Sequence, residues 1–349
     1  MTKFKIFTWN FGKQTVGKLK CITQMFKNIE LNTIYVFGLQ EVRSKDYKYI
    51  LNHFEDKVNE ISGYKIINKK KNSSFNPFKR TSEFDLVTFI IYPDHIDIKT
   101  NEEKSYIVAS NKNVLNLFDT KGYLSIDLII DKIKYTLVNV HLPFEDEELS
   151  KKNFEMLYNT FINRKNIIIF GDYNTRSKFD DTCLNNDTCN VEFKKNVEKE
   201  NVTILQGNLN NCKDECKDEC KDECTNIETK LTETDYLNKV KDGIMVEYTE
   251  DKIHFLPSYK VNKETGEYSL IKEGQGRLVG YADRILVKGD NLKIVEGSYK
   301  LGDCLGNDHF PVMLDILLVG SNMGGKTKRR KRGIKKTKKR HYKINKRNK

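Results

Sequence analysis

The chain has 349 residues, 61 Lys+Arg against 49 Asp+Glu, and a formal net charge of +12. Residues 324–349 hold 15 of the cations and no acid, which leaves 46 basic against 49 acidic groups in residues 1–323, a net of −3. A near-neutral body with a cationic tail excludes a uniformly basic histone-like or ribosomal-type protein, and 5 prolines with 20 glycines exclude collagen-like and mucin-like chains.

Lys3–Trp9 alternates like a strand and has no hydrophobic signal core, so a reducing, intracellular compartment is expected. Gln14–Ile29 has helical periodicity, Thr33–Leu39 reads as a buried strand, and Lys45–Ile61 as a helix. Lys69–Arg80 mixes cations with Phe75, Pro77 and Phe78; it reads as an exposed connector, with a membrane-touching loop as the alternative. Phe84–Tyr92 is a strand. Gly122–Ile130 and Lys134–Val140 form a hairpin about Asp131-Lys132. Glu147–Asn163 is a helix and Asn166–Phe170 a short buried strand, and Tyr281–Val287, Leu292–Glu296 and Phe310–Leu318 are three more strands. Long adjacent strands mixed with helices predict a layered α/β fold with much antiparallel pairing. The apolar runs, such as Ile167–Phe170 and Ile316–Val319, are far too short to cross a bilayer.

Residues 206–230 break this pattern. Cys212, Cys216, Cys220 and Cys224 are separated by identical Lys-Asp-Glu triplets. A four-residue period would align the thiols on one helical stripe, and such a stripe rarely closes a tetrahedral metal site. A surface microrepeat is the expectation, with thiolate–metal binding and oxidative pairing as alternatives. No Cys-x-x-Cys occurs anywhere, so zinc-ribbon spacing is absent.

Five segments place acidic, amide and imidazole groups just after expected strands, where layered α/β proteins hold reactive groups. They are Thr8–Gly12 with Asn10, Gly38–Val42 with Glu41, Asn139–Pro143 with His141, Ile167–Arg176 with Asp172 and Asn174, and the pair Asp283–Leu286 and Asn307–Val312 with Asp308 and His309. A carboxylate and an amide two residues apart suit a hard cation and a polarised water. An Asp that orients a His fixes its tautomer and raises its basicity. Each segment alone also fits a solvated turn, a cap or a core histidine.

In this order and together they resemble the endonuclease/exonuclease/phosphatase superfamily of Mg2+-dependent phosphoester hydrolases, from about Phe4 to Leu318. The resemblance implies a DNase I-like four-layer α/β sandwich, two packed mixed sheets flanked by helices, over residues 1–320. Residues 206–230 would be an insertion in it and residues 321–349 a disordered polybasic tail. Within the superfamily, Gly171-Asp172-Tyr173-Asn174-Thr175-Arg176 looks like the W-x-G-D-x-N-[FY]-R signature of inositol polyphosphate 5-phosphatases. Phe255-Leu256-Pro257-Ser258-Tyr259-Lys260 is similar to F-x-P-[TS]-[YF]-K, and Thr265-Gly266 and Tyr268 follow as that family's T-G pair and aromatic do. Arg277–Leu286 resembles R-x-P-[SA]-[WY]-[CT]-D-R-[IV]-L, and Lys121-Gly122 resembles its N-K-G segment. Val279, Gly280, Ala282, Thr175, Phe144 and Gln275 depart from the pattern.

The resemblance implies that Glu41, helped by Asn10, holds Mg2+ on the scissile phosphate. Asp172 would activate or position the water, with Asn174 fixing it. His309, oriented by Asp283, and His141 would stabilise the phosphoryl oxygens, and Asp308 would assist near the metal or leaving group. Tyr259, Lys260, Lys272 and Arg277 would bind a neighbouring ring phosphate of an inositol phosphate or phosphoinositide. The rival readings are a Mg2+-dependent phosphodiesterase (AP-type, DNase-like or sphingomyelinase-like) and an inactive scaffold. The tail's charge points to an anionic membrane surface, or to nucleic acid and the nucleus, with plain solubility as the third reading.

Overall fold

The computed structural model describes residues 1–12, 16–25, 29–71, 85–107, 121–143, 147–175, 237–238, 243–253, 255, 258–259, 280–302 and 308–320. In chain order these form β1 (Lys3–Asn10), α1 (Val16–Met25), β2 (Thr33–Val42), α2 (Tyr47–Asn59), β3 (Tyr64–Lys71), β4 (Asp85–Pro93) and β5 (Ile98–Ile107). There follow β6 (Gly122–Ile130), β7 (Ile133–His141), α3 (Glu147–Phe161), β8 (Ile167–Asp172), β9 (Asp283–Lys288), β10 (Leu292–Ile294), β11 (Lys300–Leu301) and β12 (Val312–Leu318).

Period-two alternation sorts each strand between two environments. On β1, Phe4 and Ile6 enter a core shared by the two sheets, while Phe7 and Trp9 face a helix layer. The central core joins Phe4, Ile6, Ile34, Val36 and Ile90 of one sheet to Ile126, Leu128, Leu137, Ile168 and Phe170 of the other. On the first sheet's outer face, Phe37, Leu39 and Phe89 meet Leu19 and Ile22 of α1 and Ile50, Phe54 and Val58 of α2. Ile50, Phe54 and Val58 recur every four residues, which puts them on one helical stripe. On the second sheet's outer face, Val138, Val140, Ile167 and Ile169 pack on Phe154, Leu157 and Phe161 of α3. Each fully buried side chain of this size contributes about 1.5–3 kcal/mol. The result is the expected four-layer α/β sandwich.

The first sheet has the order β10-β12-β1-β2-β4-β3, with β11 also on β12; the second has the order β5-β6-β7-β8-β9. Each contains one parallel pair, β1–β2 and β7–β8, and the remaining pairs are antiparallel. A parallel pair needs a crossover, and α1 and α3 supply them. The C-terminal ends of these four strands meet at one pole, where Asn10 of β1 hydrogen-bonds Asp172 of β8. β12 runs the opposite way: Val312 pairs with Thr8 near that pole, and Leu317 pairs with Lys3 at the far one.

Several expectations need correction. Lys69–Lys71 are the end of β3, not a connector; residues 72–84 lie outside the described residues. β3, β5 and β11 were not expected as strands. The helix expected over Gln14–Ile29 is present over Val16–Met25, with residues 14–15 and 26–28 outside the described residues, and Cys21 within it is disulfide-bonded. Arg284, fully buried, pairs through Nε and its second amino group with the Glu250 carboxylate, and also donates to Asn238 Oδ1 at 3.1 Å. Tyr299 Oη donates to the same carboxylate at 2.7 Å and accepts from the Ile285 amide at 3.1 Å. This cluster anchors β9, whose first residue is Asp283.

Candidate active site

Two local irregularities aim the strand-end residues. In β2 the pairing with β4 shifts between Leu39 and Val42, and Glu41 there has φ 54°. A bulge re-aims side chains, and a non-glycine residue with positive φ stores strain that surrounding structure must hold. Gln40 therefore enters the core while Glu41 turns out to the pole. In β8, Gly171 has φ 148°, and a Cβ there would lie 2.0 Å from the Val140 carbonyl oxygen. Only glycine lets β8 run this close to β7, which pairs Asp172 with His141.

Asp172 is the hub. Its Oδ1 accepts from the Asn174 amide at 2.8 Å and its Oδ2 from Asn10 Nδ2 at 2.8 Å. Asn174 Nδ2 in turn donates to Leu142 O at 2.7 Å. Asn10 Oδ1 accepts from the Gly12 amide at 3.2 Å, so reversing the amide would set acceptor against acceptor on Asp172. His141 Nε2 lies 3.4 Å from Asp172 Oδ2 and 3.5 Å from Glu41 Oε1. Lys121 contacts His141 Nε2 and stands 3.7 Å from Glu41 Oε1.

The second half comes from β9 and the residues before β12. His309 Nδ1 shares a 2.7 Å hydrogen bond with Asp283 Oδ2, and its Nε2 is 4.0 Å from Asp172 Oδ2. Ser258 Oγ donates to Asp283 Oδ2 at 2.9 Å and accepts from the Asp283 amide at 3.0 Å. Trp9 Nε1 donates to the His309 carbonyl at 3.0 Å. Tyr259 bridges to Gly280 and His309 through its backbone, and its ring sits 4.6 Å from the His309 ring at 44°.

The charges follow from these contacts. Burial would lower the His309 pKa, but Asp283 and then Asp172 outweigh it and raise it to about 9, with Asp308 adding to the rise. Burial, then Lys121, lowers His141. Burial pushes Asp172 up, but the His141 hydrogen bond and the His309 charge hold it well below the usual carboxylate range. Burial likewise opposes ionisation of Glu41, and His141 and Lys121 overcome it. At neutral pH the site therefore holds ionised Asp172 and Glu41, a neutral His141 and a cationic His309.

Asn10, Glu41, His141, Asp172, Asn174, Asp283 and His309 thus converge, with half-buried Asp308 next to His309 and Tyr259 against its ring. Lys260, Lys272 and Arg277 lie outside the described residues, as do residues 206–230 and the tail. In sequence Lys121 and Ser258 stand only as parts of motifs; in the structure Lys121 touches His141 and Ser258 touches Asp283. Oxygen donors from Glu41 and Asp172, both near His141 Nε2, suit a hard divalent cation. Asp172, Asp283 and His309 also offer ligand atoms within 4.8 Å of one another. There, however, Asp283 Oδ2 and His309 Nδ1 are already engaged with each other, which leaves the Glu41 side as the better fit.

A family model described as endonuclease/exonuclease/phosphatase family 2 matches residues 7–315. Among solved structures, the inositol polyphosphate 5-phosphatase domain of SPsynaptojanin, in complex with inositol (1,4)-bisphosphate and calcium ion, is similar with a TM-score of 0.60. That likeness has 16% identity and covers 91% of this chain and 85% of that one. Cimex nitrophorin, as its ferrous NO complex, is similar with a TM-score of 0.57 and 17% identity, over 90% of this chain and 97% of that one. No curated protein sequence matches. Two relatives with such different ligands share the fold, so the side chains at the pole must carry the functional argument.

Proposed function

The chain belongs to endonuclease/exonuclease/phosphatase family 2 and is a phosphoesterase of that superfamily, and from that premise we propose that it removes the 5-phosphate from inositol polyphosphates or phosphoinositides. One observation carries the finer reading. The Phe255–Lys260 segment, which resembles the 5-phosphatase pattern, supplies Ser258 to Asp283 and Tyr259 to the His309 ring. Ser258 and Tyr259 of that segment thus sit against the Asp283–His309 pair, which favours the finer reading. The inositol bisphosphate held by the SPsynaptojanin domain supports the same substrate class.

Glu41, with Asn10 alongside, would hold a divalent cation, proposed as Mg2+, which would neutralise phosphate charge and polarise the scissile phosphoester. Asp172, fixed through both oxygens, positions a water for in-line attack and accepts its proton. His309 donates from Nε2 to a phosphoryl oxygen, and Asp283 keeps it protonated. His141 lines the same oxygens. The water oxygen bonds to phosphorus and the bond to the ring oxygen breaks; one water proton is lost through Asp172, the ring oxygen gains one from solvent, and it leaves as a hydroxyl with inorganic phosphate as co-product. Tyr259, and in sequence Lys260, Lys272 and Arg277, are proposed for a neighbouring ring phosphate. Residues 324–349 are proposed as a targeting segment for an anionic membrane surface, with nucleic acid as the rival.

The test is phosphate release from Ins(1,4,5)P3, PI(4,5)P2 and PI(3,4,5)P3, beside strand cleavage of abasic DNA, each with and without Mg2+. Release from the inositol substrates, abolished in Glu41→Gln, is expected. Cleavage of abasic DNA without inositol phosphatase activity would replace this reading with a phosphodiesterase.

A further inference from the structure

The two halves of the site leave different sheets: Glu41 from β2, and His141 and Asp172 from β7 and β8. Beneath them, polar side chains cross an otherwise apolar interface. Thr8, Gln40, Thr88 and Asn139 are all buried. Gln40 Nε2 donates to Asn139 Oδ1 at 2.7 Å and lies 3.1 Å from both Thr8 Oγ1 and Gly38 O. Asn139 Nδ2 reaches Val87 O at 3.0 Å and Thr88 Oγ1 at 3.3 Å. One residue of the second sheet thus grips β2 and β4 of the first. The sheets also approach closely here, since a Cβ on Gly38 would fall 2.3 Å from the Phe170 ring.

This arrangement is not the cheapest core. Gln40 Oε1 has no hydrogen-bond partner among the described residues, so its desolvation is not offset. Apolar side chains would fill the same space without that cost, but dispersion contacts are non-directional and would let the sheets slide. Directed hydrogen bonds fix their offset. Gln40 precedes Glu41 at the bulge, and Asn139 shares a strand face with His141 two residues on.

We propose that Gln40 and Asn139 are positioning residues: their intersheet hydrogen bond sets the distance from Glu41 to Asp172 and His141, and with it the affinity for the divalent cation. This rests on the reading that Glu41 holds such a cation. The experiment measures Mg2+ binding without substrate, by calorimetry, in wild type, Gln40→Leu, Asn139→Leu and the double variant. Each single change is expected to weaken binding about 10–100-fold, the range for groups that orient a ligand. The double variant should lose little more than the weaker single, as two partners of one contact do. Asp127→Asn weakens the contacts of buried Asp127 with Thr136, Lys134 and Arg164 at the far pole. It should lower the melting temperature and leave Mg2+ affinity alone. Folded single variants with wild-type affinity, or additive losses, overturn the proposal. If wild type binds no Mg2+, the cation reading fails, and amide exchange decides the positioning claim. Gln40→Leu should then speed exchange at Val138–His141 in the opposite sheet, and unchanged exchange there overturns it.

Discussion

Replacing Asp283 by Asn removes the charge that keeps His309 a cation. In the wild-type site the His309 pKa is raised from 6.5 to about 9, and Asp283, 2.7 Å away, is the largest force raising it. Without that charge, burial is opposed only by the weaker pull of Asp172 and Asp308, and the pKa falls toward its ordinary value of 6.5. At pH 7.5 a group of pKa 9 is about 97% protonated and one of 6.5 about 9%, so the active fraction drops about tenfold from protonation alone. The alkaline limb of the rate profile should move from about 9 to below 7. The sign for stability runs the same way. A folded-state pKa raised above the unfolded one stabilises fully below about 6.5, and that stabilisation is lost as pH rises through about 9. The assay is a pH–rate profile on a soluble substrate, paired with NMR titration of the His309 imidazole. An Asn variant that keeps its alkaline limb near 9 would refute the reasoning.

Truncation to residues 1–323 should leave turnover of soluble substrate nearly unchanged, yet reduce co-sedimentation with anionic vesicles; equal sedimentation of both forms removes the membrane assignment. Gly171→Ala combines a φ of 148° with a Cβ 2.0 Å from Val140 O, and should cost about 3 kcal/mol or more in urea unfolding. A loss below about 1 kcal/mol would mean that β7 and β8 relax apart freely. Arg284→Met strands the buried Glu250 charge and should cost about 3–5 kcal/mol, while adding Glu250→Leu should recover much of it. Additive losses in the unfolding curves would contradict a paired role.

The sequence was most legible where one physical pattern dominated. β1, β2, β7 and β8 are apolar runs that end abruptly in Asn10, Glu41, His141 and Asp172, so element and chemistry were read together. β3 was missed because an edge strand has half its pairing partners and little need of apolar residues. Tyr64–Lys71 carries four lysines, which also discourage edge-to-edge association. β5 was missed because Ile98–Ile107 is mostly polar and its pairing shifts between Thr100 and Glu103, breaking the alternation. The converging histidines and carboxylates were found by residue type and order. The Gln40–Asn139 link was not, because 99 positions separate the two and each looks ordinary in its own strand. Lys121 shows the same limit: its role depends on Glu41 and His141 being on either side of it in space.

The course of β12 has a consequence for which way the protein faces. Its seven residues carry the chain about 20 Å, from beside His309 to the blunt end where Lys3 begins. The cationic segment departs from that blunt end. A surface that drew the segment in tightly would therefore meet the blunt end first and leave the pole with Asp172 and His309 pointing away from it. Catalysis on that same surface requires the segment to wrap back along the body. Residues 321–349 could span at most about 100 Å when extended, enough for the detour. On the proposed membrane reading, the length of this segment, and not its charge alone, would set whether the protein can act on the surface that holds it.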